Sequence, residues 1–183
     1  MQELSRLLDV TAPLTITGPG ADQVTILGNT GWSDRILHVL TTTVTLTGVT
    51  LRGGGGTASG GGLYNQAGTV TLSYSAIVSN TTSNGGAGIY STGTLTLTHS
   101  SVLSNTANYD AGGGLWLKGG TATLTNVTIS GNRAEQNGGG LVTSSSPTVA
   151  LTNVTLTGNT ADYGGGGTAG DGGGVRVGSG TVT

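Results

Sequence analysis

Phenylalanine and cysteine are absent from this chain of 183 residues, proline occurs 3 times, and charged residues make up 8%. Without cysteine there is neither a disulfide framework nor a thiolate metal site. The scarcity of proline beside 37 glycines, with no Gly-x-y period, excludes collagen. A net charge of −2 provides no basic surface for nucleic acid, and no apolar run has the length of a membrane span.

The residues that are present indicate a folded β protein with a thin core. Hydrophobic residues make up 34% of the chain and its net charge is only −2, whereas disordered segments usually combine low hydrophobicity with a high net charge. They include many Leu, Ile and Val but few large aromatic side chains, so they cannot fill one thick core. We therefore expect a long and narrow structure with many turns.

A degenerate repeat of about 26 residues runs through the chain. The phrase GTVTL at 68–72 returns as GTLTL at 93–97, GTATL at 120–124 and PTVAL at 147–151. Its first apolar residue recurs at steps of 25 to 27 residues, with steps of 30 and 33 at the two ends. These residues are Leu14, Val44, Val70, Leu95, Ala122, Val149 and Val182. Such a period is typical of a solenoid, in which stacked rungs bury a face that no rung buries alone.

Each repeat contains three apolar alternations, which we call its first, second and third strands. The first strand starts at the column just named. The second carries the pairs Val24/Ile26, Val49/Leu51, Ser75/Ile77, Ser100/Val102, Val127/Ile129 and Val154/Leu156. The third is predicted to open at Ile36, Leu63, Ile89, Leu115, Leu141 and Val175. Because a period of two marks a strand with one buried face, three such strands per turn predict an all-β, single-stranded parallel β-helix of about six rungs.

The whole chain is predicted to be one β-helix domain. Residues 14–180 form six rungs, residues 181–183 start an unfinished rung, and residues 1–13 hold an opening strand at 8–10 or a short cap. Since a bare solenoid end exposes apolar core and strand edges, we expect flanking rungs or domains of the same protein. A long step between Leu156 and Val175 predicts a Gly-rich inserted loop at 163–171.

An asparagine recurs three residues after the last buried residue of the second strand. It stands at Asn29, Asn80, Asn105, Asn132 and Asn159, and Gly54 is the exception. Asn tolerates a left-handed turn, and stacked copies can hydrogen-bond along the axis, so we predict a structural Asn ladder. A second turn column consists of Asn84, Asp110, Asn137 and Asp171. It too is expected to serve the backbone, with Ca²⁺ binding as the alternative.

Two repeats, GGGLYNQAGTVTLSYSAIVSN at 60–80 and GGGLVTSSSPTVALTNVTLTGN at 138–159, resemble those of bacterial pectin-lyase-like right-handed β-helix proteins. More narrowly, they resemble polymorphic outer-membrane protein repeats and those of large secreted adhesin-like proteins. The phrase LTITGPGADQVTILGN at 14–29 is similar to the first rung of such proteins. The resemblance covers residues 8–183 and implies a right-handed coil. It implies no single activity, because that superfamily holds lyases, hydrolases, adhesins and stalks.

The sequence predicts no catalytic residue, metal site or cofactor. A β-helix lyase or hydrolase needs clustered carboxylates with a basic residue or Ca²⁺, whereas the 8 acidic residues here scatter over different rungs. His99 is predicted to share a strand corner with Gly48, Tyr74, Asn126 and Asn153. His38 is predicted to share the third-strand column of Asn65, Ser91 and Thr143. Neither histidine is expected to have a carboxylate or a second histidine beside it.

Two outward stripes remain as candidate binding surfaces. The first, the Thr array, consists of Thr15, Thr45, Thr71, Thr96 and Thr123, flanked by Thr17, Thr47, Thr98, Thr125 and Thr152. Its hydroxyls would repeat at about 4.8 Å between rungs and about 6.7 Å along a strand, as in ice-binding solenoids, although Thr suits any exposed strand. The second, the aromatic row, consists of Tyr64, Tyr90 and Trp116, with Leu37 before it. It is expected to be a stacking ladder or a glycan contact.

These patterns favour a non-catalytic, extracellular or cell-surface β-helix segment that acts as a stalk or an adhesin-like binding surface. Its partner would be a glycan or another cell-surface ligand, although the first residues lack the features of a signal peptide. One alternative is a carbohydrate-active lyase or hydrolase whose catalytic residues lie outside this segment. The other is ice- or crystal-surface binding through the Thr array.

Overall fold

The structure is a computed structural model that describes residues 8–28, 31, 33–56, 58–162 and 172–183. Throughout these residues the regular secondary structure consists of short β-strands, and each strand pairs in parallel with its counterparts on neighbouring rungs. The predicted parallel β-solenoid is confirmed. Four earlier predictions lie wholly or partly outside these ranges: the short cap within 1–13, of which 1–7 are not described, the loop at 163–171, Asn29 and Asp171.

The first strands pair in the predicted register along the whole column. Leu14 pairs with Val44, and the same column continues through Val70, Leu95, Ala122 and Val149 to Val182. The strands are Leu14–Thr17, Thr43–Thr47, Thr69–Ser73, Thr94–Thr98, Thr121–Ser130, Thr148–Thr157 and Thr181–Val182. Alternate residues point inward and outward, so the repeated apolar positions form one continuous buried ridge.

The second strands belong to the same sheet as the first, from which they are separated by a sharp corner. They are Thr25–Leu27, Thr50–Arg52, Ala76–Val78 and Ser101–Leu103, and in the next two rungs they continue the ten-residue strands Thr121–Ser130 and Thr148–Thr157. At the corner one residue adopts a left-handed backbone. Its φ lies between 47° and 63° at Gly48, Tyr74, His99, Asn126 and Asn153.

The third strands form a separate seven-stranded sheet. They are Leu8–Val10, Leu37–Val39, Leu63–Asn65, Ile89–Ser91, Leu115–Lys118, Leu141–Ser144 and Val175–Val177. The prediction that one of them opens at Ile36 is wrong by one residue, because Leu37 pairs with Leu63. Ile36 and Leu37 are both buried, so apolar alternation could not choose between them, whereas backbone pairing does.

A fourth strand of two residues, which the sequence did not predict, follows the ladder asparagine in four rungs. These strands are Thr81–Thr82, Thr106–Ala107, Arg133–Ala134 and Thr160–Ala161. Ala107 and Ala134 point inward and form a small cluster with Ala87. Two residues are too few to show a periodic apolar pattern, which explains why these strands could not be predicted from the sequence.

One narrow apolar core runs along the axis of the coil. Leu46, Leu72, Leu97 and Leu124 illustrate it, since they pair in register on successive rungs and have no solvent exposure. Burying one such side chain stabilises the fold by about 1.5–3 kcal/mol relative to leaving it exposed. Because each leucine is covered by its copies above and below, that stabilisation depends on the stacking of rungs.

The Asn ladder lies inside the corner between the second strand and the two-residue strand. Asn80, Asn105 and Asn132 have no solvent exposure, and the Nδ2 of each donates to the Oδ1 of the next, ending on Asn159, at 2.9 to 3.0 Å. Each Oδ1 also accepts a backbone N–H, and each Nδ2 also donates to a carbonyl of the rung before. The buried amides are thereby satisfied.

The backbone role expected of these asparagines belongs to the residue before each of them. Ser79, Ser104, Gly131 and Gly158 carry the left-handed φ, between 53° and 62°. The asparagines themselves have no positive φ. The prediction that Asn supplies the left-handed residue is therefore wrong, because here its amide serves the interior of the coil.

Candidate functional site

The aromatic row is one residue longer than predicted, because the corrected register brings His38 into it. His38 pairs with Tyr64, Tyr64 with Tyr90 and Tyr90 with Trp116. The ring centroids are 4.8, 5.3 and 5.6 Å apart, the first pair stacked and the other two edge-to-face. The earlier placement of Leu37 in this stripe and of His38 beside Asn65 is wrong.

The rings of the aromatic row pack against one another and against the glycine-rich loops. Tyr90 is only 9% exposed. A Cβ on Gly85 would lie 2.0 Å from Cε3 of Trp116, so the loop backbone touches that ring. Burial is also the largest influence on Tyr64, whose pKa it raises against the opposing effects of Arg35 and Lys118. Tyr90 therefore has a ring on each side, as in a stacking ladder, and the glycan-contact alternative stays a prediction for Tyr64 and Trp116.

His38 has the carboxylate neighbour that the sequence did not lead us to expect. Its Nδ1 lies 2.7 Å from Oδ1 of Asp9, and its Nε2 lies 3.0 Å from Oε1 of Gln66. Asp9 stands directly beside it in register on the neighbouring rung. The expectation was wrong because the third strand was predicted to open at Ile36 instead of Leu37, which placed His38 in the wrong column. Within the described ranges, no group of three or more His, Cys, Asp or Glu could hold a metal ion.

The Thr array is wider than predicted. The outward residues Thr15, Thr45, Thr71, Thr96 and Thr123 do pair in one column, and so do most of the flanking threonines. A further column, at the start of each first strand, consists of Thr43, Thr69, Thr94, Thr121, Thr148 and Thr181. All six are exposed. The signal was present in the repeated phrase GT that precedes the first apolar residue.

A second aromatic contact lies at the left-handed corner between the first and second strands. The rings of Tyr74 and His99 stack with centroids 4.9 Å apart and planes 9° apart, and Tyr74 is 60% exposed. The Nε2 of His99 is 2.9 Å from Nδ2 of Asn126, whose Oδ1 accepts from Nδ2 of Asn153 at 3.1 Å. The sequence placed these residues in one column but did not identify them as a site.

A groove of about 680 Å³ follows this corner. One wall is the connection Gly18–Ala21 of the first rung, and the floor consists of Gly48, Tyr74, His99 and Asn126. Thr47, Ser75, Ser100, Ser101 and Thr128 complete the lining. We call this the corner groove. Its described lining contains no Asp, Glu, Lys or Arg, and residues with hydroxyl and amide groups flank its aromatic pair.

In the turn column of Asn84, Asp110 and Asn137, the contacts of Asp110 fit the expected backbone role, and Ca²⁺ binding stays an untested alternative. The Oδ1 of Asp110 accepts the N–H of Ala111 at 2.8 Å, as expected of a residue that serves its own turn. Burial raises the pKa of Asp110, and the Ala111 hydrogen bond and Lys118 act in the opposite direction.

Parallel rungs, a narrow axial core and an internal Asn ladder define the class of this protein as a β-solenoid. Residues 36–181 match the family described as the right-handed β-helix region, and the chain belongs to that family. Comparison with curated proteins and with solved structures found no match. Over the part of the chain that is described, there is no helix of the length and apolarity needed to span a membrane.

Proposed function

We propose that this chain is a non-catalytic segment of an extracellular or cell-surface β-helix that acts as a stalk with an adhesin-like binding surface. The observation that carries the proposal is the in-register Thr array, an uncharged lattice on the outward side of the first strands. The likeness of the repeats to bacterial outer-membrane and adhesin-like repeats supports the same function. The partner would be an uncharged repetitive surface, such as a glycan at a cell surface.

A stalk must resist bending, and the interior of the coil supports that role. Each rung is held to both neighbours by parallel strands, by apolar stacking and by the Asn ladder. Bending between two rungs would separate buried amides from their partners, which costs about 1–3 kcal/mol for each unsatisfied group. Six rungs at a spacing of about 4.8 Å make a rod about 30 Å long.

The proposal is tested by incubating the protein with a panel of polysaccharides and intact bacterial cells. We expect retention on at least one surface, with no new reducing ends and no unsaturated products. Reproducible turnover would overturn it in favour of the lyase or hydrolase alternative. Thr71→Lys with Thr96→Lys should weaken retention by placing charge on the lattice, whereas Thr155→Lys with Thr157→Lys, on exposed second-strand positions, should not.

A second candidate function, binding to ice or another crystal surface, is favoured by the extra threonine column. With it the array is three columns wide on successive rungs, and the Oγ1 of Thr121 lies 3.4 Å from that of Thr94. A hydroxyl and methyl lattice of this width repeats in two directions, at about 4.8 Å and about 6.7 Å. It can therefore match a crystal face in two dimensions.

The crystal-binding candidate predicts thermal hysteresis or faceted ice growth. Both should disappear in Thr71→Tyr with Thr96→Tyr, because two bulky rings would hold the ice face away from the remaining threonines. The matched control, Thr155→Tyr with Thr157→Tyr, changes the same number of threonines outside the array and should leave the activity intact. If the unmodified protein has no effect on ice growth, this function is excluded.

A further inference from the structure

Two aromatic residues occupy backbone positions that aromatic residues rarely adopt. Tyr74 has a φ of 50° and His99 a φ of 47°, in a corner column that otherwise contains Gly48, Asn126 and Asn153. Gly and Asn adopt this conformation readily and His more often than most residues, whereas it is unfavourable for a tyrosine. Such strain persists where the surroundings enforce it, and it concentrates at functional sites.

The surroundings do enforce it, through a serine that follows each aromatic residue. The Oγ of Ser75 donates to the carbonyl of Ser73 at 2.8 Å, and that of Ser100 donates to the carbonyl of Thr98 at 2.8 Å. Each hydrogen bond therefore joins the two residues on either side of the left-handed residue, Tyr74 or His99. Both serines are buried, at 2% and 5% exposure, and the same inward position is Val in the other rungs, at Val24, Val49, Val127 and Val154. Serine thus replaces valine at this position in the two rungs whose corner residue is aromatic.

The corner leaves one face of Tyr74 open. His99 stacks on one side of the ring, and on the other side the neighbour in the column is Gly48, which has no side chain. A Cβ on Gly48 would lie 2.4 Å from the carbonyl oxygen of Gly18, so a glycine is required there. The bond from Oγ1 of Thr50 to the carbonyl of Ala21, at 2.6 Å, holds the opposite wall in place.

The space over Gly48 suits a flat ring with polar edges. One rung is about 4.8 Å thick, which is close to the separation of two stacked rings. Beside this space lie the hydroxyl of Thr47 and the backbone of Gly18–Ala21, whereas Ser101, Thr128 and Asn126 line the groove further along, beyond the ring of Tyr74. None of the described residues that line the groove is Asp, Glu, Lys or Arg. A sugar ring has this combination of an apolar face and hydroxyl edges, and the lining carries no group that would select an acidic one.

We propose that the corner groove is a binding subsite for a neutral glycan, with one sugar ring stacked on the open face of Tyr74. His99 supports the tyrosine from behind, and the hydroxyl of Thr47 and the backbone polar groups of Gly18–Ala21 bind the hydroxyls of the sugar. This site is separate from the aromatic row, whose central ring is buried. It extends the proposed function by naming a ligand class and a place for it at the edge of the Thr array, beside Thr47.

The test compares the unmodified chain with Tyr74→Asn and with Tyr109→Asn. Asn occupies the same corner in two other rungs, so Tyr74→Asn should fold, and an unchanged or higher melting temperature verifies that. Tyr109 is also an exposed tyrosine, at 68%, but it lies away from the groove and serves as the matched control. The probes are short β-1,4-glucan, β-1,3-glucan, xylan and mannan oligosaccharides, with oligogalacturonate as the acidic arm, titrated by calorimetry or NMR.

We expect at least one neutral oligosaccharide to bind the unmodified chain and Tyr109→Asn equally. Tyr74→Asn should lower that affinity about tenfold or more, which corresponds to about 1.4 kcal/mol. Tyr74→Trp should retain binding, since it keeps a stacking face. Equal binding by Tyr74→Asn, binding of the acidic probe alone, or no neutral binding by the unmodified chain would overturn the proposal. The lysine variants of the Thr array do not alter the groove, so failure of the two proposals is distinguishable.

Discussion

Asn105 and Asn132 stand on successive rungs with Nδ2 of Asn105 2.9 Å from Oδ1 of Asn132, and neither side chain is exposed. The same Oδ1 accepts the backbone N–H of Asn105 at 2.9 Å. One amide therefore satisfies a side chain and a main chain in the rung before it. In the apolar interior such a bond is stronger than in water, and losing it is correspondingly costly.

Asn105→Ala should destabilise the coil by about 3 kcal/mol. It removes the oxygen that accepts both the N–H and the Nδ2 of Asn80, and each buried donor left unsatisfied costs about 1–3 kcal/mol. Urea denaturation followed by circular dichroism measures the change. Asn153→Gly, at an exposed corner that tolerates glycine, should change stability by less than about 0.5 kcal/mol. An equally small effect at Asn105 would contradict a structural role for the ladder.

Gly85→Ala should destabilise the protein by about 1–3 kcal/mol, the usual cost of overpacking. The new methyl group would lie 2.0 Å from Cε3 of Trp116 and 2.4 Å from the carbonyl oxygen of Ala111, so both the ring and the loop must move. Gly174→Ala is the control, because nothing lies within 4 Å of a Cβ at that position. Thermal unfolding of the two variants should differ clearly, and equal melting temperatures would show that the loop does not pack on the ring.

The coil could be predicted from the sequence because the two-residue alternation within each strand and the repeat of about 26 residues support the same register. Alternation along each first strand and the repeat between rungs leave one register in which the apolar residues from Leu14 to Val182 all face the core. Where two apolar residues are adjacent, as at Ile36 and Leu37, alternation permits two registers, and the wrong choice displaced His38 and concealed its contact with Asp9.

The corner groove could not be predicted in the same way. Tyr74 and His99 were correctly placed in one column, but their stacking depends on the left-handed backbone that turns both rings outward. The wall at Gly18–Ala21 belongs to a seven-residue connection between the first and second strands, and the other described rungs have at most two residues there, so no copy elsewhere indicated its path. The sequence indicated which residues share the corner column, but it did not indicate the direction in which the side chains of Tyr74 and His99 point.

Tyr90→Ala should cost about 3 kcal/mol of stability, since large buried aromatic residues replaced by Ala typically lose 3–5 kcal/mol. Tyr90 touches Tyr64 on one side and Trp116 on the other and is 9% exposed. Chemical denaturation checks the value. Tyr109→Ala removes an exposed ring and should have little effect. If Tyr90→Ala were as stable as the unmodified protein, the aromatic row would not be a packed ladder.

Asp110→Asn should make the stability of the protein less dependent on pH. Burial raises the pKa of Asp110 above its ordinary 3.8, so the folded state holds the proton more tightly than the unfolded state. The stabilisation from protonation is complete below pH 3.8 and is lost as the pH rises through the raised value. Asn keeps an oxygen that can accept the N–H of Ala111 and has no charge to bury.

The measurement for Asp110 is the urea midpoint of both proteins from acidic to neutral pH. The unmodified protein should lose stability relative to Asp110→Asn as the pH increases, and the other acidic groups cancel because both proteins contain them. A difference that grows in the opposite direction would mean that Lys118 and the Ala111 hydrogen bond outweigh burial.

Tyr74→Asn and Ser75→Val should be coupled energetically. In the unmodified protein, Ser75→Val breaks the bond that spans Tyr74 and should cost about 1 kcal/mol. In the Tyr74→Asn background the corner needs no such support, so the same change should cost about 0.5–1 kcal/mol less. The bond from the N–H of Val49 to Oγ of Ser75 is lost in both backgrounds and cancels from the cycle.

Four urea denaturation curves give this coupling free energy. The control cycle pairs Ser75→Val with Tyr109→Asn, which shares no contact with the corner groove and should be additive within about 0.3–0.5 kcal/mol. Equal costs of Ser75→Val in the two Tyr74 backgrounds would show that the serine does not hold the tyrosine in its strained conformation. In that case the polar residue in the core would be independent of the aromatic corner, and the structural argument for a built glycan subsite would lose its second support.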